Sequence, residues 1–331
     1  QQKWAGNIEI HVKSSDWYLH NHEKDANYDN VILHVVWEND TPIFRKDNSE
    51  IPTLELKKYV PLSEINKYKS LITSKSWINC ENQIGIIDNF IWENWLESLF
   101  LNRLERKSEI IDKRLVETNT NWEAIFFEML SKNFGLNTNG DSFLQVAKSI
   151  PFSIVRKESF DVENLEALFF GKLNLLDEPI EDEYHTKLAS HWSYLKIKYN
   201  LESEFGLHPQ FFKLRPDNFP TIRLSQFANL IANNQNLFSQ LIQANSYAQI
   251  KQLLKSETSE YWKSHYNFSK SSKTKSKGLT NQFIDLIIIN TVIPIKFCYA
   301  KHQGKLNIEE LIYLLEKMLP EKNSILQKFT E

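Results

Sequence analysis

The hydrophobic period changes once along this chain, and that change constrains the fold more than any other feature. Residues 7–13, NIEIHVK, alternate strictly, with Ile8, Ile10 and Val12 on one side and Asn7, Glu9, His11 and Lys13 on the other. This is the two-residue period of a half-buried strand. Residues 31–37, VILHVVW, form a second, more apolar strand suited to the centre of a sheet. From Ile84 onward apolar residues recur every three or four positions, as in Trp92, Trp95, Leu96, Leu99, Phe100 and Leu104, and helices are expected almost to the end. The pattern predicts an α+β architecture: a small α/β segment over 1–83, then a large, mostly helical domain over 84–331.

Finer signals refine this frame. Glu38-Asn39-Asp40 reads as a tight turn, returning Thr41 to Arg45 as a third strand in a hairpin. The connection from Ser14 to Asn30 has room for one or two helical turns. Thr120 with Glu123 has the spacing of a capping box for a helix to about Asn133, closed by Gly135. Residues 183–199 read as a helix burying Tyr184, Leu188, Trp192, Leu195 and Ile197. Thr221 and Thr280 are expected to cap further helices, Pro294 to kink or end one, and Asn307 with Glu310 to start the last, Ile308 to Leu319.

Composition narrows the function classes. The net charge of -3 over 331 residues forces no polyanionic partner. The two cysteines, Cys80 and Cys298, form neither a disulfide framework nor a zinc-finger spacing, which points to a reducing, cytoplasmic setting, with one long-range disulfide as the alternative. No Gly-rich phosphate loop, Gly-x-Ser-x-Gly elbow or His-Glu-x-x-His is present. The longest apolar stretch, Phe283 to Phe297, is interrupted by Asp285, Asn290, Pro294 and Lys296 and predicts no membrane span. The chain opens at Gln1 and runs at once into a strand, so upstream sequence is expected to be missing. Lys251 to Thr280 holds seven Lys against two Glu. Its Ser- and Lys-rich half, Ser269 to Gly278, reads as an exposed mobile loop or as a contact for a phosphate backbone.

Chemistry concentrates near the start. Glu9, His11 and Lys13 project from one face of a strand, about 6–7 Å between alternate residues. A carboxylate and an imidazole at that spacing can share a metal, directly or through its water, and a nearby Lys can stabilise charge developing on phosphate. Asp16, His20, His22, Asp25, Asp29 and His34 follow, so four of the nine histidines fall between His11 and His34. The candidate catalytic residues are Glu9, His11 and Lys13, and the candidate metal ligands are Glu9, Asp16, His20 and His22. The favoured ion is Mg²⁺ or Mn²⁺, with zinc or iron on His20, His22 and a carboxylate as the alternative. The competing reading is a purely structural polar network, with His34 a hydrogen-bonded core histidine. Arg215 and Arg223 flank a proline-stiffened segment and could clamp an anion at a helix N-terminus, or else pair with carboxylates and dock the loop.

The stretch WAGNIEIHVKSSDW from Trp4 to Trp17, then His20, His22, Tyr28 and NVILHVV from Asn30 to Val36, resembles the domain of unknown function 2851 family. Arg215 to Arg223, Tyr261-Trp262 with His265-Tyr266, and Ile288 to Pro294 resemble its later landmarks. The resemblance covers essentially the whole chain. It implies kinship with uncharacterised bacterial proteins, mostly of Bacteroidetes, and names no activity. Family members begin earlier, with a Gly-Pro-Asp-Phe-like segment absent here. Its Asp, followed by Glu9-x-His11, would be similar in layout to the Asp…(Asp/Glu)-x-Lys arrangement of restriction-endonuclease-like nucleases, except that His11 stands where Lys is expected. Without that Asp the chain is expected to be inactive even if the longer protein cuts nucleic acid.

Two classes of function follow as expectations. One is a metal-dependent, nuclease-like phosphodiesterase, intact or degenerate, with nucleic acid as partner. The other is a non-enzymatic helical module that binds or scaffolds a protein partner.

Overall fold

The computed structural model describes residues 3–73, 78, 81–202 and 207–318. Cys80 and Leu319 lie outside them. The chain forms two compact units, Gln1–Glu93 and Asn94–Glu331, and they divide inside a long helix rather than before it.

The first unit is built on a parallel three-stranded sheet, β1 (Asn7–Lys13), β2 (Val31–Glu38) and β3 (Thr53–Glu55), with β2 in the centre as its apolar run predicts. A short helix α1 (Asp16–Leu19) and two 3₁₀ turns cross from β1 to β2, and α2 (Leu62–Thr73) and α3 (Glu81–Ile84) follow β3. The expected hairpin over Thr41 to Arg45 does not form. Asp40 explains why: its carboxylate accepts hydrogen bonds from Ser14 Oγ, Ser15 N and Ser15 Oγ at 2.8–2.9 Å. These donors hold its pKa down at about 2. They tie the chain leaving β2 across the end of β1, so it cannot fold straight back. The returning segment makes one bridge, Phe44 with Glu50, before β3 pairs parallel to β2. Ile43 and Ile51 then join Trp17 and Val31 in a small core.

The strand period of β1 holds, but its faces are reversed from the usual half-buried pattern. Glu9 and His11 are partly covered, whereas Ile8, Ile10 and Val12 are 57%, 68% and 66% exposed. The rings of His20 and His22 gather against His11 on the polar side, and Trp17 packs beside them on His22 and His34.

The second unit is helical: α4 (Asn89–Glu117, begun in the first unit), α5 (Trp122–Phe134), α6 (Leu136–Ser149), α7 (Phe152–Glu158), α8 (Val162–Lys172) and α9 (Glu183–Tyr199), then α10 (Pro220–Asn233), α11 (Leu237–Gln243), α12 (Tyr247–Leu253), α13 (Glu260–Lys263), α14 (Asn281–Ile287), α15 (Ile293–His302) and α16 (Ile308–Glu316). A two-stranded ribbon, β4 (His265–Asn267) with β5 (Lys270–Ser271), lies between α13 and α14. Its core is aromatic: Phe227 packs against Phe127, Phe134 and Phe169 with ring centroids 5.0–5.3 Å apart. Rings at that separation add to the stabilisation from apolar burial. Gly171 lets α8 meet α9, because a Cβ there would fall 2.2 Å from the Trp192 ring.

Local details depart from sequence rules for identifiable reasons. Asn121, not Thr120, caps α5, accepting from the Ala124 N–H, while Gly135 ends it as expected. Thr280, Asp161 and Asn307 cap α14, α8 and α16, and the Asn307 side-chain amide also donates to the Glu310 carboxylate. Thr221 does not cap α10; its buried hydroxyl donates to the Tyr266 carbonyl. Ile197 is 84% exposed, because the buried side of α9 runs through Leu188, Trp192 and Leu195. Along α4 only Leu104 of the early apolar stripe is buried; Leu96 and Leu99 are each 46% exposed.

Pro294 neither ends its helix nor breaks it. A π-helical turn, Ile288–Val292, joins α14 to α15 and falls just before Pro294, so the helix is locally distorted at the proline and continues past it. The joined helix Asn281–His302 is long and apolar enough to cross a membrane by composition, but 61% of that window is buried within the protein, as in a core helix. Its Lys296 donates to the Leu241, Ile242 and Ala244 carbonyls at the end of α11.

The Ser- and Lys-rich segment is docked, not loose. Lys277 is buried and donates to the carbonyls of Trp262, Lys263 and His265, while Lys275 pairs with Asp217 at 2.9 Å.

Candidate functional site

The polar face of β1 carries the site. Glu9 and His11 project from it, and the parallel register sets His34 of β2 beside Glu9. After β1 the chain turns into α1, where Asp16 accepts from the Lys13 backbone N–H at 2.9 Å and Trp17 enters the core, donating from its indole to the Phe44 carbonyl. Helix α1 ends at His20. Asn21 follows in the left-handed conformation, φ 57°, which Asn tolerates better than most residues. That single residue reverses the chain, so His20 and His22 both return to His11.

Four imidazoles therefore meet. His11 Nε2 lies 3.1 Å from His20 Nδ1, and its Nδ1 lies 2.8 Å from His34 Nε2. The ring of His22 stacks on His11 at 5.3 Å and on Tyr28 at 3.7 Å, with Trp17 edge-on at 5.3 Å. One ring nitrogen from each of His11, His20 and His22 lies within 4.8 Å of the other two. Glu9 Oε1 stands 3.6 Å from His11 Nε2. Tetrahedral Zn–N bonds of about 2.0–2.1 Å put donor atoms about 3.3 Å apart, so nitrogens within 4.8 Å of one another would have to draw together to hold such an ion.

Electrostatics favours the neutral form of two of these rings, His11 and His34. Burial lowers the His11 pKa; His20 and His22 push the same way, and Glu9 opposes them. His34 is fully buried and its pKa falls to about 4, through burial first and then His11. A neutral imidazole offers a lone pair, as metal ligation requires. The His34 Nδ1 is buried without a partner.

Among the residues singled out in the sequence, Glu9, His11, His20, His22 and His34 converge. Asp16 closes the turn after β1. Lys13 sits at the exposed end of the same strand face. Arg215 and Arg223 form no such cluster: Arg215 is exposed, whereas Arg223 is buried, donating to Asn218 and Gln226 and lying 3.7 Å over the Phe283 ring. That placement serves packing of α10 against α14, and burial lowers the Arg223 pKa to about 10.

The sequence reading missed two constellations. Asp112 accepts from the buried Cys298 thiol at 3.3 Å and meets His302 Nε2 at 2.6 Å. Burial and the adjacent carboxylate push the Cys298 pKa up to about 11, so it is a protonated thiol at neutral pH. The four-residue spacing of Cys298 and His302 on one helix face was the available signal. Glu166 is fully buried, accepting from Ser225, Ser259, Tyr184 and Trp262. Burial raises its pKa against those four donors. Nothing in one sequence pairs residues so far apart.

A family model described as "Protein of unknown function (DUF2851)" matches residues 1–324. No curated protein and no solved structure matches the chain.

Proposed function

Because the chain belongs to the DUF2851 family, whose function is unknown, its activity must be argued from the site itself; we propose that it is a metal-dependent hydrolase of phosphate diesters, with its ion on His11, His20 and His22. The carrying observation is the convergence of three imidazole nitrogens within 4.8 Å beside a carboxylate. Nitrogen donors favour zinc or a similar transition ion over Mg²⁺, which prefers oxygen ligands. This revises the preference for Mg²⁺ or Mn²⁺ drawn from the carboxylate-and-lysine pattern alone.

Held by His11, His20 and His22, such an ion would supply an activated water by lowering its pKa toward neutrality. Glu9, with Oε1 3.6 Å from His11 Nε2, would take the proton of the attacking water. The new P–O bond forms from that water, the ester P–O bond breaks, and the proton passes to the leaving oxygen. Lys13, two residues beyond His11 on the same strand face, supports an anionic substrate. His34 accepts from His11 Nδ1–H and so frees His11 Nε2 for the ion, the arrangement in which a second imidazole orients a ligating one.

The test is hydrolysis of bis(p-nitrophenyl) phosphate, and of single-stranded and duplex DNA and RNA, by the zinc-loaded protein. The reading expects turnover abolished in Glu9→Gln, with metal content retained. Full metal loading without turnover on any of these would reject the hydrolase and leave a structural metal site. The second reading, a non-enzymatic helical module for a protein partner, draws support from Leu96 and Leu99, left half exposed on α4.

A further inference from the structure

Helices α4, α5 and α6 line a solvent-open pocket of about 420 Å³ in the second unit. Pockets for small organic ligands span roughly 300–1,000 Å³. Its floor is apolar, including Ile125 and Met129, and its wall is cationic, including Lys107 and Lys113 from α4 and Lys148 from α6. Two acids also line it, Glu117 and Glu128, but both are engaged by Arg114. Among the described residues no side-chain or backbone acceptor reaches the ammonium of Lys107, Lys113 or Lys148, whereas Lys132, further along the wall, pairs with Asp141 at 3.1 Å.

Lys107 is the most telling of the three. It is half-buried, and the charged groups that act on it are cations, Arg103 and Lys132. Burial first, and then those two, lower its pKa. A lysine held partly out of water beside like charges is stabilised by an anion, and among the described residues no carboxylate pairs with Lys107. The wall opposite is fixed: Asn290 accepts from Arg103 at 2.9 Å and donates to the Leu286 carbonyl at 3.0 Å. Asn290 lies within the π-helical turn, a distortion frequent at functional sites.

We infer that this cavity binds a small organic anion with an apolar body, its body against Ile125 and Met129 and its acidic group on Lys107 and Lys148. Inorganic phosphate would leave the apolar floor wet, and a neutral hydrocarbon would leave Lys107 without a counterion. The inference does not depend on the metal site in the first unit, and its test needs no metal.

The probe is 1-anilinonaphthalene-8-sulfonate, compared with its uncharged counterpart N-phenyl-1-naphthylamine, titrated by fluorescence into the full chain. The sulfonate should show one saturable site. Lys107→Met should weaken it about tenfold, the loss of one charge-assisted contact, and leave the neutral dye unchanged. Lys148→Glu, at an exposed position where folding is not at stake, should weaken it further. Met129→Trp should fill the floor and weaken both dyes. Competition with decanoate and with decyl phosphate then separates a carboxylate from a phosphate ligand. Sulfonate affinity unchanged by Lys107→Met and Lys148→Glu, or displacement by neither competitor, overturns the inference.

Discussion

His34 Nε2 lies 2.8 Å from His11 Nδ1, and His34 is completely buried. A hydrogen bond in that position decides which nitrogen of His11 faces the site, since a ring that donates from Nδ1 keeps a lone pair on Nε2. His34→Ala should therefore lower zinc affinity by about 10–100-fold, the usual cost of losing an outer partner of a ligating histidine. His34→Asn, whose side-chain oxygen can accept from His11, should restore part of the loss. Equal affinity in wild type and His34→Ala, by competition with a chelating dye, would remove His34 from the account.

The same pair predicts an acid sensitivity. The His34 pKa falls from 6.5 to about 4 on folding, and that of His11 falls too, so the folded chain binds fewer protons than the unfolded one in this window. Stability therefore rises with pH there. The contribution is fully present above pH 6.5 and is lost as pH falls toward about 4. Urea midpoints of metal-free protein should drop across that interval, and less steeply in His34→Asn. Parallel curves for the two proteins would contradict the assignment.

Gly171 makes a prediction whose sign is diagnostic. Helix propensity alone makes Ala more stabilising than Gly, by about 0.5–1 kcal/mol. The Trp192 ring, 2.2 Å from the position a Cβ would take, opposes this. Overpacking of that kind costs about 1–3 kcal/mol, so Gly171→Ala should lower the urea midpoint. A raised midpoint would mean that α8 and α9 separate freely at this contact.

Much of this architecture is legible in the sequence, and the failures have common causes. The two strands, the helical remainder and the caps at Thr280 and Asn307 are local events, and local patterns report them. The third strand depends on Asp40 reaching back to Ser14 and Ser15, a contact across 25 or 26 positions that no turn rule contains. Alternation in β1 identified a strand but not its inward face, because a cluster of imidazoles took the side that apolar residues usually occupy. Lys277 looked solvated by its neighbours in sequence, yet three carbonyls surround it. The candidate site was legible as a concentration of histidines. Which of them meet was not, because that rests on the left-handed Asn21 and on the register between Glu9 and His34.

The central claim is that His11, His20 and His22 hold one transition-metal ion, and Co²⁺ titration of the chelator-treated protein followed by visible absorption tests it most directly. The account predicts a single saturating equivalent with the intense d–d bands of a four-coordinate, nitrogen-rich site. Those bands should vanish in His20→Ala and be displaced by Zn²⁺. A weak octahedral spectrum, or binding that survives His11→Ala, His20→Ala and His22→Ala alike, would contradict it and return the four histidines to a structural role.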